Sequence, residues 1–200
     1  MKAIYVTDRA ALPKGRFEEV LEGLRGSPDL SVQLREKEMA DGAYLKLAMR
    51  CREILRSTPL LVNGRFDVAL AAGAAGVQLP ESGLPVSRVR AHTPRGFRLG
   101  VSTHSAGDAG RLIEEGADVV LIGPIFQTPS KTGRPLGPSA LGGLPPRASH
   151  STDVYAIGGI TEQNLEELEP YRDRIAGIAA IRLFQESDDP RGAAERIALR

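Results

Sequence analysis

An α/β fold, with eight parallel strands alternating with helices and closing as a (β/α)8 TIM barrel, is predicted by three features of the sequence. Short apolar runs recur along the whole chain, helical periodicities lie between them, and polar residues gather where each run ends. Such alternation implies parallel strands joined by right-handed crossovers, and eight units favour a closed cylinder over an open sheet. The 200 residues contain no linker, low-complexity tract or charge block, so one domain over 1–200 is expected. The alternative, an open doubly wound sheet, lacks its glycine fingerprint after the first strand, where Thr7-Asp8-Arg9-Ala10 stands.

The first strand is read at Ala3–Thr7, followed by a helix with Phe17, Val20, Leu21 and Leu24 on one face. In the second, Ser31–Arg35, Gln33 and Arg35 alternate with Val32 and Leu34, which places the polar pair inside the barrel and the apolar pair against the helices. Tyr44, Leu47, Ala48, Cys51, Ile54 and Leu55 mark the next helix. The third strand, Pro59–Asn63, and the fourth, Gly76–Leu79, leave room between them only for a short helix, Phe66–Ala72. After the fifth, Arg98–Ser102, Ser105 reads as the cap of a helix that carries Ala109, Leu112 and Ile113. The sixth, Val119–Ile122, is a continuous apolar run, as a strand buried on both faces requires. The seventh is Val154–Ile157, with Thr161-Glu-Gln-Asn164 resembling a capping turn, and the eighth is Ile175–Ala180. Ala72-Gly-Ala-Ala-Gly-Val77 and Glu115-Gly-Ala-Asp-Val-Val120 both carry a helix out through Gly and Ala into the next strand, a partial internal repeat.

Composition excludes several classes of function. A net charge of +1, with arginines scattered among acids, predicts no nucleic-acid partner. The longest uncharged run, Val68 to Pro80, is too short for a membrane span and no signal peptide is evident, so a cytoplasmic protein without membrane contact is expected. The single Cys51 permits no internal disulfide, suits a reducing compartment and sits in a helical pattern as a structural thiol. A homo-oligomer is compatible with the sequence, which does not locate its interface.

In a barrel of this kind chemistry belongs at the C-terminal ends of the strands. Those ends carry Thr7-Asp8-Arg9, Gln33 to Lys37, Asn63-Gly-Arg65, Gln78, Ser102-Thr-His104, Gly158-Gly159 and Arg182. Most distinctive is the loop after strand six, where Thr128, Ser130, Lys131 and Arg134 fall within seven residues among glycines and prolines. Hydroxyls, backbone amides and an ammonium are what a phosphate dianion needs. Any one of these residues is equally a capped or solvated strand end; together they predict a common polar pocket.

Tyr5-Val-Thr-Asp8, Val32-Gln-Leu-Arg-Glu-Lys37, Leu61-Val-Asn-Gly-Arg65, Gly76-Val-Gln-Leu79, Gly100-Val-Ser-Thr-His104, Gly123-Pro-Ile-Phe-Gln-Thr-Pro-Ser-Lys131 and Ala156-Ile-Gly-Gly-Ile160 resemble, in order, the motifs of the thiamin phosphate synthase and thiazole tautomerase family. The resemblance implies a (β/α)8 barrel that binds thiazole phosphate and, in synthases, a pyrimidine pyrophosphate held by Mg²⁺. It implies substrate binding by Gln33, Arg35, Lys37, Asn63, Gln78 and Ser102, and phosphate binding by Thr128, Ser130, Gly158, Gly159 and Arg182, the last in place of the usual serine, with the two glycines presenting amides at the start of a seventh helix whose dipole favours an anion. The two carboxylates expected to hold Mg²⁺, after strands three and four, are here Gly64 and Gly83. On that ground the synthase is disfavoured, and the expectation is a tautomerase that moves a proton without metal or other cofactor, Mg²⁺ being needed only by a synthase. Its expected histidine after strand six is Pro124, which leaves Lys131, Glu36 and His104 as the catalytic candidates. A synthase and a non-catalytic thiazole phosphate binder are the alternatives.

Overall fold

The computed structural model of the protein describes residues 1–27, 29–129 and 133–198. Eight strands close a barrel in chain order: β1 (Lys2–Val6), β2 (Leu30–Leu34), β3 (Leu60–Asn63), β4 (Gly76–Leu79), β5 (Arg98–Thr103), β6 (Val119–Ile122), β7 (Asp153–Ile157) and β8 (Gly177–Ala180). Every neighbouring pair is parallel, and β8 returns to β1 with Ile178 opposite Ala3. The expected (β/α)8 barrel is therefore what the chain forms.

The period of two separates the apolar residues into two sets. Ala3, Tyr5, Val32, Leu34, Val62, Val77, Leu99 and Val120 belong to the outer core, where they meet the helices. Ile4, Val6, Val119, Leu121, Tyr155 and Ala179 form a separate cluster. These six alternate with the outer set along β1, β6, β7 and β8, so they fill the cylinder. It is a packed core rather than a pore.

Helices α1 (Arg16–Gly23), α2 (Asp41–Leu55), α3 (Phe66–Ala71), α4 (Val86–Arg90) and α5 (Ala106–Glu114) cover the first five crossovers. Phe17, Val20 and Leu21 of α1 and Tyr44, Ala48, Cys51, Ile54 and Leu55 of α2 are the buried faces that the periodicity predicts. Ser105 caps α5, its Oγ accepting the Asp108 N–H at 3.0 Å. The regular alternation then fails. Between β6 and β7 the described residues form 3-10 turns at Pro138–Gly143 and Arg147–Ser149, and between β7 and β8 a 3-10 segment at Leu165–Tyr171. Pro138, Gly142, Gly143, Pro145, Pro146 and Pro170 explain the change, because proline removes the helical N–H and glycine weakens helix interiors. The chain closes after β8 with the four-residue α6 (Arg182–Gln185) and α7 (Pro190–Ala198). No helix among the described residues is long and apolar enough to cross a membrane.

The two ends of the barrel differ. At the N-terminal end, Asp153 of β7 accepts hydrogen bonds from Lys2 Nζ at 3.0 Å and Arg98 Nη2 at 2.8 Å. One carboxylate thus joins β1, β5 and β7 electrostatically. At the C-terminal end, Thr7 Oγ1 donates to Glu36 Oε1 at 2.9 Å and accepts the Arg35 N–H at 2.9 Å, so it ties the exit of β1 to that of β2. Gln185 of α6 accepts from Tyr5 Oη and from the Asp8 N–H, which anchors the last short helix on β1. Burial pushes the Glu36 carboxyl above its ordinary value of 4.5, with the Thr7 hydrogen bond opposing.

Replacing Asp153 by Ala leaves Lys2 and Arg98 without their shared counter-ion. The expected loss is about 1–2 kcal/mol in urea unfolding, less than for a fully buried pair because Lys2 is half exposed; an unchanged midpoint would contradict the bridging role. Because folding raises the Glu36 pKa, its contribution is favourable below the unfolded value and is lost as pH rises through the folded one. Glu36→Gln, which keeps an acceptor for Thr7, is therefore expected to raise the urea midpoint at pH 7, the gain shrinking towards pH 4. A gain independent of pH would contradict this.

Candidate functional site at the barrel mouth

Above the inner apolar layer lies a cavity of about 720 Å3, walled by residues from the ends of all eight strands, from Val6 of β1 round to Ala180 of β8. Gln33, Arg35, Lys37, Asn63, Ser102, His104, Thr128, Gly158, Gly159 and Arg182, all singled out from the sequence, line it. The pleat explains why Gln33 and Asn63 meet: they top neighbouring strands with inward side chains, and Gln33 Nε2 donates to Asn63 Oδ1 at 2.9 Å. That bond leaves Gln33 Oε1 buried and, among the described residues, without a hydrogen-bond partner.

Two expected residues lie elsewhere. Gln78 is fully buried beneath the wall, donating from Nε2 to Ser102 Oγ at 3.2 Å. Its amide fills space that Gly100 leaves open, since a Cβ on Gly100 would come within 2.0 Å of Gln78 Oε1. It supports the wall through Ser102. Glu36 does not line the cavity either, because Thr7 holds its carboxyl at the junction of β1 and β2. Ser130 and Lys131 lie outside the described residues.

The cationic side of the mouth is formed by Arg35 and Lys37. Neither makes a side-chain hydrogen bond or ion pair among the described residues, and the same holds for Arg182, which follows β8, two strands round the barrel from β2. Nearby acids are committed elsewhere: Glu36 to Thr7, and Asp67 to Arg65, whose guanidinium holds the Asp67 carboxyl below the usual range. Arg65 also pairs with Asp41 and so turns away from the cavity. Unpaired cations facing a shared space create the positive field that concentrates a polyanion.

On the opposite side, Gly158 and Gly159 follow β7 with φ of +101° and +65°. A Cβ on Gly158 would lie 2.6 Å from Pro124 Cβ, and one on Gly159 would lie 2.4 Å from Gln127 O. Only glycine fits where the two loops lie this close. The loops are joined by Ile125 N–H to Ile157 O at 2.9 Å and Phe126 N–H to Gly158 O at 3.0 Å, which brings Thr128 and the glycines to one wall. The sequence reading also expects a helix dipole at these glycines. No α-helix follows them: Asn164 Oδ1 accepts the Thr161 N–H in a capping turn, and the next element is the 3-10 segment from Leu165. Any anion there depends on local groups and on Arg182 instead.

His104 and Glu81 form the rim between β4 and β5. Glu81 Oε1 accepts from Thr103 Oγ1 at 2.9 Å and from the His104 N–H at 3.4 Å, while Oε2 lies 4.0 Å from His104 Nε2. His104 Nδ1 is hydrogen-bonded to the Gly123 carbonyl, which can only accept, so the proton is on Nδ1. Thr161, Gln163, Glu186 and Ser187 complete the outer wall, and the sequence reading did not place them there. They stand several residues beyond their strands, where the rule that strand ends carry function no longer selects individual positions.

The residues at the mouth do not fit a Mg²⁺ site. Among the described residues no three His, Cys, Asp or Glu side chains come together as a metal-binding group. Gly64 has a φ of +76°, and a Cβ on Gly83 would stand 2.8 Å from the Pro80 carbonyl, so neither loop is folded around a carboxylate.

Comparison with known proteins identifies what this mouth is similar to. A family profile described as thiamine monophosphate synthase matches residues 3–184. The thiamine-phosphate synthase of Methanoculleus marisnigri is 38% identical over 89% of this chain and 86% of its own, and that of Chloroflexus aurantiacus is 34% identical over 97% and 90%. The solved structure of thiamine phosphate pyrophosphorylase from Pyrococcus furiosus superposes with a TM-score of 0.80, at 29% identity, covering 99% of this chain and 94% of that one. These findings overturn the expectation of a tautomerase: the relatives carry the name of the synthase, a transferase, and nothing among them supports the isomerase branch. With the profile matched over residues 3–184 and synthases aligned along nearly the whole chain, the protein belongs to the thiamine monophosphate synthase family.

Proposed function

We propose that the protein is a thiamine-phosphate synthase, joining a thiazole phosphate to a pyrimidine carrying a methylene diphosphate. The observation that carries the reading is the placement of unpaired Arg35 and Lys37 on one side of the cavity and Arg182, Thr128 and the Gly158–Gly159 turn on another. Two phosphorylated substrates need two anion sites facing one space, and synthase relatives cover nearly the full chain.

In this reading Arg35, Lys37 and Asn63 take the diphosphate, and Gln33 Oε1 and Ser102 orient the pyrimidine ring between them. Thr128, Ser130, Gly158, Gly159 and Arg182 take the thiazole phosphate, Arg182 through the two-pronged geometry that guanidinium offers to phosphate. Bond making needs no base, because the thiazole nitrogen supplies its own electron pair. Lys131 therefore acts as a cation towards the leaving group rather than as a proton abstractor, His104, whose Nδ1–H is taken by the Gly123 carbonyl, shapes the rim, and Glu36 acts through the Thr7 junction that sets the position of Arg35. Holding both substrates in one walled cavity supplies orientation and excludes water from the cationic methylene that forms.

Incubation with both substrates is expected to yield thiamine phosphate and pyrophosphate, read by chromatography. Absence of product under conditions in which both substrates bind would overturn the proposal in favour of a binding protein. Arg182→Ala is expected to raise KM for thiazole phosphate about tenfold or more, the value of one charge-assisted hydrogen bond, with little change in KM for the pyrimidine diphosphate. Equal effects on both would place Arg182 outside the thiazole-phosphate site.

A further inference from the structure

Resting on the synthase reading but going beyond it, we propose that the diphosphate end of this mouth works without a divalent ion, the leaving group's charge being met by Arg35 and Lys37. Two independent features of the wall lead there. The first is the supply of carboxylates. Glu81 is the acid on the rim beside Thr103 and His104, and its Oε1 already receives the Thr103 hydroxyl and the His104 N–H while Oε2 faces the imidazole. Glu162, also in the wall, is engaged by Arg196 at 2.8 Å, and Glu186 belongs to the side of Arg182. A Mg²⁺ ion that bridges a protein to a diphosphate is held by one or two carboxylates beside the phosphates. Where the resemblance expects two, Gly64 and Gly83 supply none, and Glu81 Oε2 is left as a single unbonded oxygen on this rim against the two cations Arg35 and Lys37. Gly83 cannot be re-equipped cheaply, because a Cβ would meet the Pro80 carbonyl at 2.8 Å.

The second feature is the supply of positive charge. Arg35 and Lys37 enter the cavity with no counter-ion among the described residues. Such a field attracts a diphosphate and opposes entry of a divalent cation.

The chemistry balances without metal. The methylene carbon–oxygen bond breaks with its electron pair going to the diphosphate oxygen, and the thiazole nitrogen's pair forms the new carbon–nitrogen bond. Diphosphate gains one negative charge and the thiazolium one positive charge. No proton or electron is exchanged, so the site has only to stabilise developing negative charge, which guanidinium and ammonium groups supply.

The test is calorimetric titration of the full chain with inorganic pyrophosphate, once in EDTA and once in excess Mg²⁺. The expected result is saturable binding in EDTA that Mg²⁺ leaves unchanged or weakens, since Mg²⁺ sequesters free pyrophosphate. Arg35→Ala is expected to weaken binding in EDTA about tenfold or more, with Arg35→Lys recovering part of it as a control for folding. Binding only in Mg²⁺, or a more than tenfold strengthening by Mg²⁺ that Glu81→Gln abolishes, would overturn the proposal. The two readings fail separately. Thiamine phosphate formed only with Mg²⁺ sinks metal independence and leaves the synthase standing; pyrophosphate bound in EDTA with no product under either condition does the reverse.

Discussion

The pleat of the closed parallel barrel is the constraint on which everything else depends. A strand has two faces, and once eight strands close on each other one face of each must point into a space too narrow for water-filled polarity. The lower and middle layers meet that constraint with Ile4, Val119, Leu121, Tyr155 and Ala179. At the upper layer the same pleat delivers Gln33, Asn63 and Ser102 inward, and burying their amides and hydroxyl is tolerable only because they bond to one another or face a cavity. The site is thus the point at which the inner core stops being apolar.

Much of this was legible in the sequence because period-two patterns need no knowledge of distant contacts. Val32 and Leu34 outward with Gln33 inward, Ser105 as a cap, and the continuous run Val119–Ile122 were all readable locally. The failures share a cause. Glu36 looked available because it follows a strand end, yet its direction is set by Thr7, 29 residues away. Gln78 looked exposed to substrate, yet the missing side chain at Gly100 on the next strand lets its amide lie beneath the wall. The dipole expected at Gly158–Gly159 was lost because Pro170 and its surroundings give a 3-10 segment where a helix was read.

The functional error has a different origin. Gly64 and Gly83 were taken as evidence for a tautomerase, an expectation that the synthase relatives overturn. A synthase has one electrostatic demand, the stabilisation of departing diphosphate, and Arg35 and Lys37, without counter-ions among the described residues, are the groups proposed to meet it. A proton-transfer reaction has a stricter demand, a positioned acid and base at the ring. Pro124 cannot serve, and Glu36 faces away from the cavity.

The account's central claim is that groups spread from Gln33 to Arg182 act on a single pair of substrates in one cavity. A crystal structure with thiazole phosphate and pyrophosphate bound together tests it most directly. The account predicts pyrophosphate oxygens within hydrogen-bond distance of Arg35 and Asn63, and the thiazole phosphate against Gly159 and Arg182, with the ring nitrogen facing the space between. Ligands bound on separate surfaces, or both anions on the Arg182 side with Arg35 and Lys37 untouched, would contradict it.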